Sequence, residues 1–302
     1  TGIFQQVLAP GTRLGKIHAH LTPDDKKLSI QVVLPACHDT ASAVTAVPVD
    51  DPNYLYISSG TWSLVGVELS QPLLQAESMK AEFTNEGNPE GITRFLKIVP
   101  GMWLLQQCKH EWELKGRCYT YDDLTRLAAE VHTSRSIVDV TDSLFTAPGP
   151  MCERISYYCR QTGQCVPRTE GEMVKCILVS LSFLYRSLLD NFETILQRKI
   201  NVIHIIGGGS KNALLNQMTA DNCSRPVIAG PQEATATGNI LVQAMGLGYV
   251  NNLHEIRQIV KRSFNPNTFV PTNSQIWDED YARYKKYCKD YSSMQKQEGF
   301  IR

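Results

Sequence analysis

The sequence predicts an α/β fold, on three observations. Between residues 170 and 247 helical and extended patterns alternate, as in layered domains whose ligands sit at the carboxyl ends of strands. Within that stretch an apolar strand runs into Gly207-Gly208-Gly209-Ser210 and then into a helix. Upstream, two extended segments flank Ser59-Gly60-Thr61, a turn whose backbone can approach a ligand closely.

Taken in order, residues 1–35 read as extended pieces at 2–8 and 29–34 around a Pro10-Gly11 turn, the second holding a buried strand that Pro35 closes. His38-Asp39-Thr40 follows, and the small residues 41–46 start a helix with Thr40 near its cap. Strands are expected at 54–58 and 63–69, and residues 85–92 are rich in turn formers. One helix runs to residue 113 from Pro100 or Gly101, and another covers 121–131, begun by Asp122 and Asp123. Thr169-Glu170-Gly171-Glu172 reads as a capping box for a helix over 170–197, with Val174, Ile177, Leu181, Leu184, Leu188, Phe192 and Ile195 at helical spacing. The strand 202–206 is apolar apart from His204, and Ser210 caps a helix at 211–222. A strand at 226–229 and helices at 233–247, 254–262 and 274–291 complete the chain.

With 42% apolar and 20% charged residues among 302, the chain can bury a sizeable core in one large or two medium domains. A formal net charge of zero, with no basic run, argues against nucleic acid or an anionic membrane as the main partner. There is no signal-peptide pattern, and the longest apolar stretch, Cys176 to Tyr185, is too short to span a bilayer. Nine cysteines without a C-x-x-C motif make zinc and thioredoxin-like sites poor readings and suit reduced thiols in a cytoplasmic protein. The chain opens at Thr1 rather than Met, directly into a strand-and-turn pattern, which points to sequence missing upstream.

Three motifs can carry chemistry. Asp39 follows a buried strand, where a carboxylate either takes a proton from a hydroxyl or caps the helix behind it. Gly60 and Thr61 either hold a phosphate or form an ordinary hairpin turn. Gly207, Gly208 and Gly209 exceed what a simple turn requires and leave a base or phosphate free to approach the backbone. No Gly-Lys-Ser/Thr and no G-x-G-x-x-G follows, so neither a Walker loop nor a dinucleotide fingerprint is present. Asn212 either holds an adenine edge or ribose or lies on a solvated helix surface. His18 and His20, on one face of a predicted strand, lack a third ligand at metal spacing, so no metal site is assigned.

Together these motifs resemble the FGGY family of sugar kinases along essentially the whole chain. The resemblance rests on Pro35-Ala-Cys-His-Asp-Thr-Ala-Ser-Ala-Val44, Ile57-Ser-Ser-Gly-Thr-Trp-Ser-Leu-Val-Gly-Val-Glu68, Thr84-Asn-Glu-Gly87, Arg94-Phe-Leu-Lys97 and Gly101-Met-Trp-Leu-Leu-Gln106. It continues in Ile206-Gly-Gly-Gly-Ser-Lys-Asn-Ala-Leu-Leu-Asn-Gln217 and Ile228-Ala-Gly-Pro-Gln-Glu-Ala-Thr-Ala-Thr-Gly-Asn239. It implies an actin-like, ribonuclease H-like ATPase domain of a sugar kinase with a remnant of the N-terminal lobe. Residues 1–50 would be the tail of the sugar-binding lobe, and 51–302 the C-terminal nucleotide-binding lobe.

The resemblance also implies roles and ligands. Asp39 would be the general base toward the 1-hydroxyl of L-rhamnulose, flanked by His38 and Thr40. Gly60 and Thr61 would contact ATP phosphates, and Gln106 and Gly208 would line the nucleotide site with Gly207, Gly209 and Asn212. ATP would bring Mg²⁺. Another ketose (L-fuculose or L-xylulose) and a non-catalytic nucleotide-binding remnant are the alternatives. Where the family has Asn after Phe-Leu-Lys, this chain has Ile98, which cannot replace an amide hydrogen bond to a sugar. The family's N-terminal lobe, with its Asp-x-Gly-Thr phosphate loop, has no counterpart here, so weak ATP binding and little or no phosphorylation are expected of the chain by itself.

Overall fold

A computed structural model of the chain describes residues 2–3, 6–21, 30–132, 136–272 and 275–297. A small antiparallel hairpin of β1 (Arg13–Lys16) and β2 (Gln31–Val33) comes first, followed by helix α1 (Asp39–Thr45). The main sheet takes β3 (Tyr54–Ser59), β4 (Trp62–Leu69), β5 (Thr84–Gly87), β6 (Thr93–Pro100), β7 (Val202–Ile206), β8 (Val227–Ala229) and β9 (Asn267–Phe269). Its helices are α2 (Ala76–Lys80), α3 (Trp103–Leu114), α4 (Tyr121–Ala129), α5 (Met151–Gln161), α6 (Glu170–Leu196), α7 (Ala213–Cys223), α8 (Ala234–Leu247), α9 (Leu253–Ser263) and α10 (Gln275–Gln297).

The seven strands lie in the order β5-β6-β4-β3-β7-β8-β9. β3, β4 and β6 form an antiparallel meander; β7 and β8 then add parallel to β3, joined through helical crossovers. Period-two alternation gives each strand two faces. On β3, Leu55 and Ile57 join Val65, Val67, Phe95, Ile203 and Ile205 under the helices α3, α5, α6 and α7, while Tyr54 and Tyr56 face Val44, Val242, Ile256 and Val260 of α1, α8 and α9. Helices therefore cover both faces. The long α6 is held at its start by the predicted capping box, Thr169 Oγ1 accepting from the Glu172 N–H and Glu172 from the Thr169 N–H.

Two close approaches set the site. A Cβ on Gly238 of α8 would stand 1.8 Å from the Ser42 carbonyl oxygen, so only glycine lets α1 lie this close to α8. A Cβ on Gly101 would meet the Gly60 carbonyl oxygen at 2.6 Å, so only glycine lets the β6–α3 junction close over the β3–β4 turn.

Several elements differ from the expectations. The described part of 2–8 is turn and irregular chain rather than strand, and the described part of 29–34 contributes only β2; Ser29 lies outside the described residues, as does Ser274 at the start of the last predicted helix. Residues 84–87 form an edge strand, and β6 was not expected at all. In β6 the first four residues, Thr93 to Leu96, are buried on both faces and the fully buried Arg94 is paired with Glu86 at 2.9 Å, so no alternation shows in the sequence there. α5, also unexpected, buries only Met151, Ile155, Tyr158 and Cys159 among polar neighbours. α3 begins at Trp103 because the N–H groups of Gly101, Met102 and Trp103 donate to the turn carbonyls of Gly60 and Thr61. Asn212, not Ser210, caps α7. His20 lies in a 3-10 turn, its ring stacked on that of His18 at 5.6 Å, not on a strand face. Among the described residues no helix is long and apolar enough to cross a membrane.

Candidate active site

The β3–β4 turn is fixed from beneath. The carbonyl of Gly60 accepts from Met102 N–H at 2.9 Å, and that of Thr61 from Gly101 N–H at 3.0 Å and Trp103 N–H at 3.2 Å. Ser63, just behind the turn, has its Oγ 2.8 Å from the Tyr185 hydroxyl of α6, a phenol whose pKa is raised by complete burial. The turn therefore presents Gly60 and Thr61 outward on a rigid base.

The three glycines after β7 do different things. Gly207 has φ +81° and ψ −171°, a conformation close to exclusive to glycine, and a Cβ there would lie 3.0 Å from the Ser59 carbonyl oxygen. Gly209 packs on β3 so tightly that a Cβ would lie 2.0 Å from Ser59 Oγ. Gly208 has no such reason to be glycine, because nothing lies within 4 Å of a Cβ placed on it. Its open face is room left for something other than the chain itself. Ser210 Oγ donates back to the Gly207 carbonyl at 2.7 Å and closes the turn.

Two adjoining clefts open on these turns. The smaller, about 690 Å³, is lined by His38, Asp39 and Thr40 from the tip of α1, by Gly60 and Thr61, and by Gly207 and Gly208; Trp62, Leu64 and Ile98 form an apolar wall. The larger, about 960 Å³, takes Gly60, Thr61, Gly208, Gly209 and Asn212 together with Met102 and Gln106 of α3. Its far wall is α4, through Tyr121, Asp122, Thr125, Arg126 and Ala129. All ten candidate residues thus lie along one continuous surface, and Gly60, Thr61, Gly208 and Glu233 line both clefts.

Asp39 stands in the first turn of α1, but the cap position belongs to His38, whose side chain makes no capping bond. Oδ1 of Asp39 accepts from the Thr40 N–H at 2.6 Å and Oγ1 at 3.2 Å, and His38 Nδ1 lies 3.6 Å away. The Asp39 side chain is 77% exposed and Oδ2 has no partner among the described residues. The Thr235 hydroxyl, at the start of α8, donates to the Asp39 carbonyl at 3.3 Å and ties the two helix tips together. Asn212 is neither solvated nor free: Oδ1 accepts from Leu215 N–H at 2.9 Å and Nδ2 donates to Thr125 Oγ1 at 3.4 Å, linking α7 to α4 across the floor of the larger cleft.

Sequence reasoning missed α4 as a wall and Glu233 as a shared lining residue. The helix itself was expected, but no local signal marks it as a cleft wall, because its place there depends on packing against a turn far away in sequence; Glu233 lay inside a recognised motif without a role. Ile98 and Trp62, 51% and 48% exposed, are large apolar groups left open on the smaller cleft. Among the described residues no group of three or more His, Cys, Asp or Glu is arranged to hold a metal ion.

A meander continued by parallel strands, with clefts at the β3–β4 and β7–α7 turns, is the arrangement of an actin-like, ribonuclease H-like ATPase fold. Solved structures share it: xylulose kinase from Rhodospirillum rubrum matches with a TM-score of 0.69 at 14% identity, over 95% of this chain and 57% of that one. Plasmodium falciparum glycerol kinase with ADP matches at 0.67 and 13% identity, over 95% and 55%. The chain belongs to the FGGY family of carbohydrate kinases, whose C-terminal domain matches residues 55–247. It is 42% identical over 282 residues to a rhamnulokinase of Bacteroides thetaiotaomicron, covering 93% of this chain and 57% of that protein. It is 40% identical over 268 residues to a rhamnulokinase of Bacillus subtilis, covering 89% and 55%. The chain therefore spans a little over half the length of these relatives.

Proposed function

We propose that this chain provides the nucleotide side and the general base of an ATP-dependent kinase that phosphorylates L-rhamnulose at its 1-hydroxyl. The observation that carries the reading is the confluence of two clefts at Gly60, Thr61 and Gly208, with the exposed carboxylate of Asp39 in one of them. Phosphoryl transfer needs the acceptor hydroxyl, its base and the terminal phosphate brought into line, with little covalent chemistry for the protein. In this reading Asp39 takes the proton from the sugar hydroxyl through Oδ2, the oxygen left without a partner. His38 and Thr40 flank the sugar. Gly60, Thr61 and Gly208 guide the phosphates, and Gln106, Asn212, Gly207 and Gly209 shape the nucleoside end. The name shared by the two relatives above supports the choice of sugar.

The lining carboxylates suit Mg²⁺ arriving on the nucleotide, since that ion keeps several waters and binds through one or two carboxylates plus substrate phosphates rather than in a protein cage. Bound there, it would neutralise phosphate charge. We further propose that residues 1–50 belong with a sugar-binding lobe, that 51–302 form the nucleotide lobe, and that the remaining length of the relatives corresponds to the facing wall of the smaller cleft. Nine cysteines present as free thiols support a cytoplasmic setting.

The test measures ADP binding by calorimetry and ATP-dependent phosphorylation of L-rhamnulose with Mg²⁺, on wild type and Asp39→Asn, with and without the N-terminal lobe of a relative added. Both proteins should bind ADP, and transfer should fall about 10²–10⁴-fold in the variant. Transfer undiminished in Asp39→Asn, or no ADP binding by either protein, would overturn the reading.

A further inference from the structure

Glu233 stands where the two clefts meet. Its exposed carboxylate makes no hydrogen bond and no ion pair among the described residues; only its carbonyl is engaged, accepting from Thr237 Oγ1 at 2.8 Å. It occupies the cap position of α8 yet makes no capping bond, so its carboxylate oxygens are not taken up by the helix N–H groups. The charge of the smaller cleft is one-sided. Asp39 and Glu233 line the smaller cleft, and no Lys or Arg does. Arg126 and Lys211 line the larger cleft, but Arg126 is drawn to Asp123 at 3.6 Å and Glu130 at 3.3 Å. A bare polyphosphate passing Gly60 and Gly208 would meet two carboxylates and be repelled, whereas one carrying a divalent cation would be attracted.

We propose that Glu233 makes this site select the divalent-metal complex of a nucleoside di- or triphosphate over the metal-free nucleotide. This rests on the nucleotide reading given above and adds a discriminating residue to it. Asp39 lines the smaller cleft alone and faces the acceptor; Glu233 is the acidic side chain shared by both clefts, on the path the phosphates would take. Its charge acts twice, attracting the hydrated cation and penalising phosphates that come without one.

The experiment titrates ADP into the full chain by calorimetry, once with excess Mg²⁺ and once with EDTA, for wild type, Glu233→Gln and Glu233→Asp, with melting temperatures measured alongside. Glu233→Gln should weaken Mg·ADP roughly fivefold and tighten metal-free ADP roughly fivefold, moving the two affinities in opposite directions. Glu233→Asp, which keeps the charge, should keep most of the preference for the metal complex. A merely structural residue would move both affinities the same way. Parallel shifts, or no shift in either arm while wild type binds ADP, would overturn the role of Glu233 and leave the nucleotide site standing. Failure of wild type to bind ADP in both arms would overturn the nucleotide reading and this proposal together.

Discussion

Three adjacent glycines offer a test in which stability and ligand binding separate. Substituting Gly209 with Ala puts a Cβ 2.0 Å from Ser59 Oγ and 2.6 Å from Ser59 Cβ, so β3 and the turn must part. Overpacking of that kind costs about 2–3 kcal/mol. In Gly207→Ala the φ of +81° becomes strained and the new Cβ meets the Ser59 carbonyl oxygen at 3.0 Å, for a cost of about 1–3 kcal/mol. Gly208→Ala meets nothing within 4 Å and sits in a 3-10 turn that Ala adopts freely. It should be neutral or gain up to about 1 kcal/mol by restricting the unfolded chain. For a chain of this size each kcal/mol moves the melting temperature by roughly 2–4 °C. Scanning calorimetry should therefore show Gly209→Ala lowered by roughly 4–12 °C and Gly208→Ala unchanged or slightly raised. ADP titration should show the converse for Gly208→Ala: a methyl group on the open face of both clefts should weaken binding about tenfold or more, about 1.4 kcal/mol. Gly208→Ala as destabilising as Gly209→Ala, or binding ADP as wild type does, would refute the argument that Gly208 is kept open for a ligand.

Two other expectations follow from buried positions. His204, packed edge-on against Tyr54 at 5.7 Å, has its pKa lowered from 6.5 to about 4, chiefly by burial and then by the nearby Arg257, with Asp50 opposing. The unfolded chain takes up this proton first as pH falls, so the stability contributed by the neutral imidazole is present above about pH 6.5 and lost toward about pH 4. Between about pH 7.5 and about pH 5 the loss comes to about 2 kcal/mol; urea melts of His204→Leu should lack it, and an unchanged pH dependence would refute the assignment. Gly238→Ala must push α1 off α8, because its Cβ would stand 1.8 Å from the Ser42 carbonyl oxygen. A loss of about 3 kcal/mol or more is expected from denaturation measurements, and the phosphoryl transfer proposed above, assayed with the N-terminal lobe of a relative added, should fall with it because Asp39 rides on α1.

The parts of the fold legible in the sequence were those that act locally. The capping box of α6, the apolar strand β7 and the Tyr-Leu-Tyr-Ile run of β3 each declare themselves within a few residues. β6 did not, because it buries side chains on both faces and hides a charge: Arg94 is fully buried, and Glu86 on the neighbouring edge strand, 2.9 Å away, makes that tolerable. Neither residue predicts the other without the register that sets Glu86 opposite Arg94. The same limit hid the edge strand at 84–87, whose Asn and Gly read as turn formers, whereas a 3-10 turn does form at Pro89–Gly91.

The candidate site divides along the same line. Glycines announce a turn because backbone conformation and close approach are local demands, so Gly60 and Gly207 to Gly209 could be found from sequence. That the demand differs among the three, conformation at Gly207, packing at Gly209 and an empty face at Gly208, emerges only once β3 lies beside the turn. Glu233 lies further from reach. At the head of a helix an acidic residue ordinarily reads as a favourable interaction with the helix dipole. Here it forgoes the capping bond and projects where turns from β3–β4 and β7–α7 converge. The helix dipole and a metal-bound phosphate would both favour a charge there, and only the second makes the affinities for metal-bound and metal-free nucleotide move in opposite directions, which is why that measurement is the stricter test.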